Sequence, residues 1–138
     1  QLVFMAIATV HGLSLVEWGI SFDGVTATAV PVLVEVVNST QATAGTPGVS
    51  TVVTQVRGRA TSGAAPTMGG NYTAEPTALV SLRRYYVPAF MGTFVYQAPL
   101  GREIESDVSG GTIKGLGIRA NVPANVNAVS YLECEAVG

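Results

Sequence analysis

Apolar residues recur at every second position along most of this chain, and that period constrains its fold more than any other feature. Over residues 15–23, Val16, Trp18, Ile20 and Phe22 fall on one side, while Glu17, Gly19, Ser21 and Asp23 fall on the other. Successive side chains of a strand point to opposite faces, so this is the pattern of a strand with one face on a core. Val30, Val32, Val34 and Val36 repeat it against Leu33, Glu35 and Val37 in a strand expected over 28–37. Pro31 lacks a backbone donor, which assigns it to the start of that strand or to an edge.

Further strands are expected at 2–10, 49–57, 77–87, 92–98, 112–122 and 126–137. In 77–87, Val80, Leu82, Arg84 and Tyr86 alternate with Leu79, Ser81, Arg83 and Tyr85, and the aromatic residues and Pro88 favour strand over helix. Phe94 and Tyr96 share a face of the next strand. His11-Gly12 marks a hairpin or tight connection, Asp23-Gly24 a turn, and Pro123-Ala124-Asn125 the break between the last two strands. Residues 41–48, 58–71 and 99–111 read as loops, the last two long and exposed. The expectation is an all-β chain, one domain over 1–138, with about eight antiparallel strands in two packed sheets. Eight strands in two sheets is the count of a jelly-roll sandwich.

The chain has 138 residues, enough for a real core. Hydrophobic residues make up 48% and charged residues 12%, against the roughly 25% charge of an ordinary soluble domain. The only lysine is Lys114. A surface so poor in charge tends to self-associate, so much of it is expected to be covered by other copies. Net charge is −2 and the arginines are scattered, which gives no basic footprint for nucleic acid. The apolar opening over 2–10 is too short for a membrane helix and is followed by His11, Gly12 and Glu17. It has no positively charged lead, so no signal peptide is expected. The chain opens on Gln1, and a missing or extended N-terminal arm ahead of Glu17 is part of the expectation.

Reactive chemistry is sparse. His11, the one histidine, sits at a turn without a Gly-x-Ser-x-Gly element. The single cysteine, Cys134, excludes an intrachain disulfide, and Glu133 and Glu135 beside it would raise its pKa and blunt its reactivity. Glu105, Asp107, Ser109 and Gly110 follow the opening spacing of an EF-hand loop, but Leu116 stands where a bidentate Glu is required. The glycine-rich run 110–117 leads into a strand, which offers no helix N-terminus to a phosphate. Lys114 has no recognisable partner for an Asn crosslink. Glu17, Glu35 and Glu133 lie on expected strands, where a carboxylate pair for glycoside hydrolysis would sit. They read more simply as outward polar positions. Asn38-Ser39-Thr40 and Asn71-Tyr72-Thr73 match glycosylation acceptors, read here as chance in a Ser/Thr-rich chain. No catalytic residue, cofactor or metal is expected. Arg83, Arg84, Tyr85, Tyr86, Phe90 and Met91 form the candidate interface, because Tyr and Arg anchor interfaces. The competing account places those tyrosines in the core with arginine stems covering them.

Several segments together resemble a family of small minor head proteins from tailed phages of actinobacteria. They are Glu17-Trp18-Gly19-Ile20-Ser21-Phe22-Asp23-Gly24-Val25-Thr26, Ala29-Val30-Pro31-Val32-Leu33-Val34-Glu35 and Ser39-Thr40-Gln41. Asn71-Tyr72-Thr73-Ala74-Glu75-Pro76-Thr77, Pro99-Leu100-Gly101-Arg102-Glu103 and Val129-Ser130-Tyr131-Leu132-Glu133-Cys134-Glu135 complete the set. The resemblance implies a virion protein on the outer surface of the capsid, decorating and stabilising the shell as a homotrimer in contact with the major capsid protein. It also implies a jelly roll similar to the tumour-necrosis-factor architecture, and no membrane or nucleic-acid partner. The alternative is a carbohydrate-binding or adhesive β-sandwich of a tail fibre, with Tyr72, Tyr85 or Tyr86 stacking on sugar rings.

Overall fold

Ten strands and no helix make up the regular structure of the computed structural model, which describes residues 2–6, 12–24, 29–39, 45–51, 53–54, 56, 67–106, 115–122 and 125–137. In chain order they are β1 (Leu2–Ala6), β2 (Gly12–Phe22), β3 (Val32–Ser39), β4 (Val49–Thr51) and β5 (Thr67–Gly70). There follow β6 (Leu79–Val87), β7 (Thr93–Gln97), β8 (Ile104–Ser106), β9 (Gly115–Asn121) and β10 (Ala128–Val137). All pairings are antiparallel. The larger sheet has six strands in the order β4-β5-β1-β9-β3-β6, and the smaller has four, with β10-β2-β7 in a row and β8 also on β2.

The two sheets share one core. Val32, Val34 and Val36 of β3 and Leu116 and Ile118 of β9 meet Leu15, Trp18 and Ile20 of β2, all at most 4% exposed. Tyr85, Phe94 and Tyr96 extend this core between β6 and β7, with ring centroids of Tyr85 and Phe94 4.6 Å apart. Val32, Val34 and Val36 therefore face inward as expected, whereas Val30, expected on the same face of a strand from 28, is 56% exposed ahead of a strand that begins at Val32. Pro31 stands just ahead of that strand, where its missing donor costs no ladder bond.

The face expected for Val16 is corrected by a bulge. β10 pairs Glu133 with Glu17 and Cys134 with Leu15, so Val16 is an extra residue on β2. One inserted residue flips the alternation. Leu13 and Leu15 point into the core before it, and Trp18, Ile20 and Phe22 after it, while Val16 is half-buried. The neighbour on the other side of β2 changes at the same place: β8 pairs Leu13–Leu15 and β7 pairs Glu17–Ser21. A second bulge at Leu82 lets Val36 pair Arg83 and Val37 pair Ser81, which brings both Leu82 and Tyr85 against the core despite their odd spacing.

Other expectations shift. β1 and β2 lie in different sheets, so the connection at His11-Gly12 is no hairpin; His11 itself is outside the described residues. Residues 58–71 and 99–111 are not wholly loop, because β5 and β8 fall in them. β5 reads Thr-Met-Gly-Gly, a poor strand former, and is extended because β1 and β4 pair with it on either side. Of the strand expected over 49–57, Val49–Thr51 form β4, while the described residues 53–54 and 56 are not strand. The last strand begins later than expected, at Ala128, and the one before it is described from Gly115, residues 112–114 lying outside the described residues.

Candidate interaction surfaces

The alternation of β6 splits the candidate interface between the two faces of the larger sheet. Tyr85 points inward and contacts the rings of Trp18, Phe94 and Tyr96. It is a core residue, as the competing account had it. Arg84 and Tyr86 point outward, Arg84 opposite Glu35 and Tyr86 opposite Leu33. Arg83 is exposed, and its Nη1 donates to the Leu82 carbonyl at 3.1 Å.

Tyr86 is 73% exposed, Phe90 66% and Met91 70%. Phe90 and Met91 sit in the turn from β6 to β7, which a left-handed residue and a glycine shape. Met91 has φ 51°, and a Cβ on Gly92 would lie 2.0 Å from the Pro88 carbonyl oxygen. Ala89 is buried by the same turn, while Phe90 and Met91 are turned out to solvent. Left-handed backbone costs an L-residue about 1–2 kcal/mol, so the fold holds Met91 in this turn at some expense, with Phe90 turned out beside it. Phe90 and Met91 both approach Gly24, and Val30, 56% exposed, precedes β3 at the same end.

The outer face of the larger sheet is different in kind. Glu35 lies in register between Arg84 on β6 and Arg119 on β9. Its side chain is 3% exposed and accepts from Arg84 Nε at 2.9 Å, Arg119 Nε at 2.9 Å and Asn121 Nδ2 at 2.8 Å. Burial alone would raise its pKa. Hydrogen bonds from Arg119, Ser81 and Asn121, with the Arg119 charge, more than offset this and hold the carboxyl below its ordinary value. Residues 71–77 lie over this face. Glu75 accepts from Arg119 Nη1 at 3.1 Å, Tyr72 packs on Val37, and Ser39 Oγ donates to the Thr77 carbonyl at 3.3 Å. A second bridge, Thr46 to Ala74, ties the same segment to the chain ahead of β4.

The three carboxylates singled out in the sequence are not brought together. Glu35 is on the larger sheet, whereas Glu17 and Glu133 face each other across β2 and β10 on the smaller one. Tyr131 lies over Gly19, whose missing side chain makes room for the ring, and its hydroxyl donates to Glu17 Oε1 at 2.6 Å. That bond, then burial and the charges of Glu17 and Glu133, push the Tyr131 pKa up to about 12. Glu105 and Glu135 both pair with Ser14 two rows away, so this face gathers four of the nine acidic residues of the chain. No spacing in the sequence announces this grouping, because β8 and β10 meet only through β2.

Cys134 packs against the core, and burial, then the Glu133 charge, push its thiol up to about 12. Asn38 lies within β3, half-buried, and its Oδ1 accepts from Ser106 Oγ at 3.3 Å; Asn71 is an exposed turn residue with φ 49°. Of the tyrosines considered for sugar stacking, only Tyr86 is open to solvent. Residues 107–114, with Asp107 and Lys114, lie outside the described residues. Among the described residues no cluster of three or more His, Cys, Asp or Glu has metal-binding geometry, and no helix is long and apolar enough to cross a membrane. Comparison with known protein families, with curated proteins and with solved structures gives no match.

Proposed function

We propose that this chain is a structural virion protein that decorates a phage capsid and stabilises it, acting as a homotrimer on the outer surface of the shell. The observation that carries the reading is the outward-held pair Phe90 and Met91, with Tyr86 and Val30 at the same end of a chain only 12% charged. Scattered exposed apolar residues are ordinary, but a contiguous group held out by a constrained turn marks a contact site. In this reading that end seats on the major capsid protein. The resemblance to small minor head proteins supports it, as does the shortage of charge over the whole surface.

The reading includes a jelly-roll description of the sandwich, similar to the tumour-necrosis-factor architecture. Its support is the repeated crossing of the chain between sheets, from β1 to β2, β2 to β3, β6 to β7, β8 to β9 and β9 to β10. Obligate assemblies of this kind bury about 2,000–5,000 Å² at each interface, and apolar burial supplies most of the affinity.

Co-sedimentation with purified empty capsids tests the proposal. The wild-type chain should saturate the shell in a fixed ratio, and Phe90→Asp combined with Met91→Asp should abolish binding without unfolding the protein. Absence of saturable binding by the wild type would remove the reading.

A further inference from the structure

Two long strands close the sheets on opposite flanks, and they carry opposite charge. Among the described residues β6, nine residues, is the last strand of the larger sheet, and β10, ten residues, is the last of the smaller one. β6 stacks over β7 through Tyr85 and Phe94, whereas β10 lies at the far side of β2 from β7. A terminal strand leaves alternate backbone N–H and C=O groups unpaired and is a template for another strand. Edges are commonly blunted by shortness, proline, a bulge or charge, and of these β6 has the bulge at Leu82. Neither β6 nor β10 contains proline or glycine, and the opposite terminal strand of the larger sheet, β4, has only three residues.

Charge decides what such edges accept. β6 presents Arg83 and Arg84; Arg84 is engaged with Glu35, while Arg83 is exposed and its guanidinium donates to the neighbouring Leu82 carbonyl. β10 presents Glu133 and Glu135, with Glu17 and Glu105 on the same face. Pairing β6 with β6 would set arginines against each other, and pairing β10 with β10 would set glutamates together. Like charges across a strand pair disfavour it and opposite charges support it. Only the head-to-tail pairing of β6 with β10 joins opposite signs.

We propose that copies of this chain assemble edge to edge, β6 of one pairing antiparallel with β10 of the next, Arg83 facing Glu133 and Glu135. The contact is heterologous, so it closes into a ring when the rotation between copies allows and otherwise propagates as a fibre. Closure at three copies gives the homotrimer proposed above, and this inference rests on that reading by naming its interface.

The test is the mass of the full-length chain across a dilution series, with Trp18 fluorescence and circular dichroism confirming the fold of every variant. The expected result is a wild-type trimer, a monomer for Arg83→Glu, and a trimer again when Arg83→Glu is combined with Glu133→Arg and Glu135→Arg. Arg83→Glu should weaken association about tenfold or more, the equivalent of about 1.4 kcal/mol. Hydrogen exchange should show the β6 and β10 edge amides protected in the trimer and exposed in the monomer. A wild-type trimer that Arg83→Glu leaves intact overturns the edge pairing and spares the trimer. Wild-type fibres abolished by Arg83→Glu uphold the pairing and overturn threefold closure. A wild-type monomer at high concentration overturns both.

Discussion

Replacing Glu35 by Gln removes one charge from under the segment 71–77 and tests whether the Arg84–Glu35–Arg119 row holds the larger sheet together. Removing one partner of a buried ion pair costs about 3–5 kcal/mol when the surviving charge stays buried and unpaired. Arg84 is 67% exposed and returns to water with little loss, whereas Arg119 is 25% exposed and keeps only Glu75. One half-compensated charge therefore remains, and the expected cost is about 2–3 kcal/mol. For a chain of this size that lowers the Tm by about 10 °C. Glu75→Gln is the control: Glu75 is 39% exposed, so its pair contributes about 0.2–1 kcal/mol. Urea melts followed by Trp18 fluorescence report both, because Trp18 is the only tryptophan and is buried against Tyr85 and Phe94. Glu35 has its pKa depressed by folding, so its stabilisation is complete above the ordinary carboxylate range and is lost as pH falls through the folded value. The wild type should lose stability on acidification more steeply than Glu35→Gln. A cost below about 0.5 kcal/mol for Glu35→Gln, or equal costs for the two variants, would refute this account.

Trp18 Nε1 is buried without a hydrogen-bond partner, so Trp18→Phe should cost far less than the roughly 3–5 kcal/mol of Trp18→Ala, because it also removes an unsatisfied donor; thermal melts by circular dichroism compare the two. Gly19→Ala would place its Cβ 2.4 Å from Tyr131 Cε1, displacing the ring, and ultraviolet titration should then show the Tyr131 transition moved down from about 12, a transition that Tyr131→Phe removes. Gly92→Ala should destabilise the fold and the β6–β7 turn by more than about 1 kcal/mol, read in urea melts, since the new Cβ meets the Pro88 carbonyl oxygen. Cys134 should resist alkylation at pH 8 in the folded protein and react readily in denaturant, measured by mass spectrometry.

Much of the architecture can be read from residue order alone. The period of two in β3 and β7 names their inward residues correctly, because an unbroken strand has no way to change face. The alternation of Arg84 and Tyr86 against Arg83 and Tyr85 was legible, but not which set meets the core, since the bulge at Leu82 changes the face midway along the strand. The bulge at Val16 is equally hidden: it falls where the neighbour on one side of β2 changes from β8 to β7 while β10 runs along the other. β5 is a strand only because its neighbours supply the ladder its own glycines do not favour. The order of residues therefore established strands, turns, an apolar interior and a shortage of charge, all of which depend on local spacing and composition. Tertiary structure alone decided that Glu35 lies between two arginines, that four glutamates share one face and that β6 and β10 end their sheets on opposite flanks. Those relations join residues far apart in the chain, and only the pairing of strands brings them side by side.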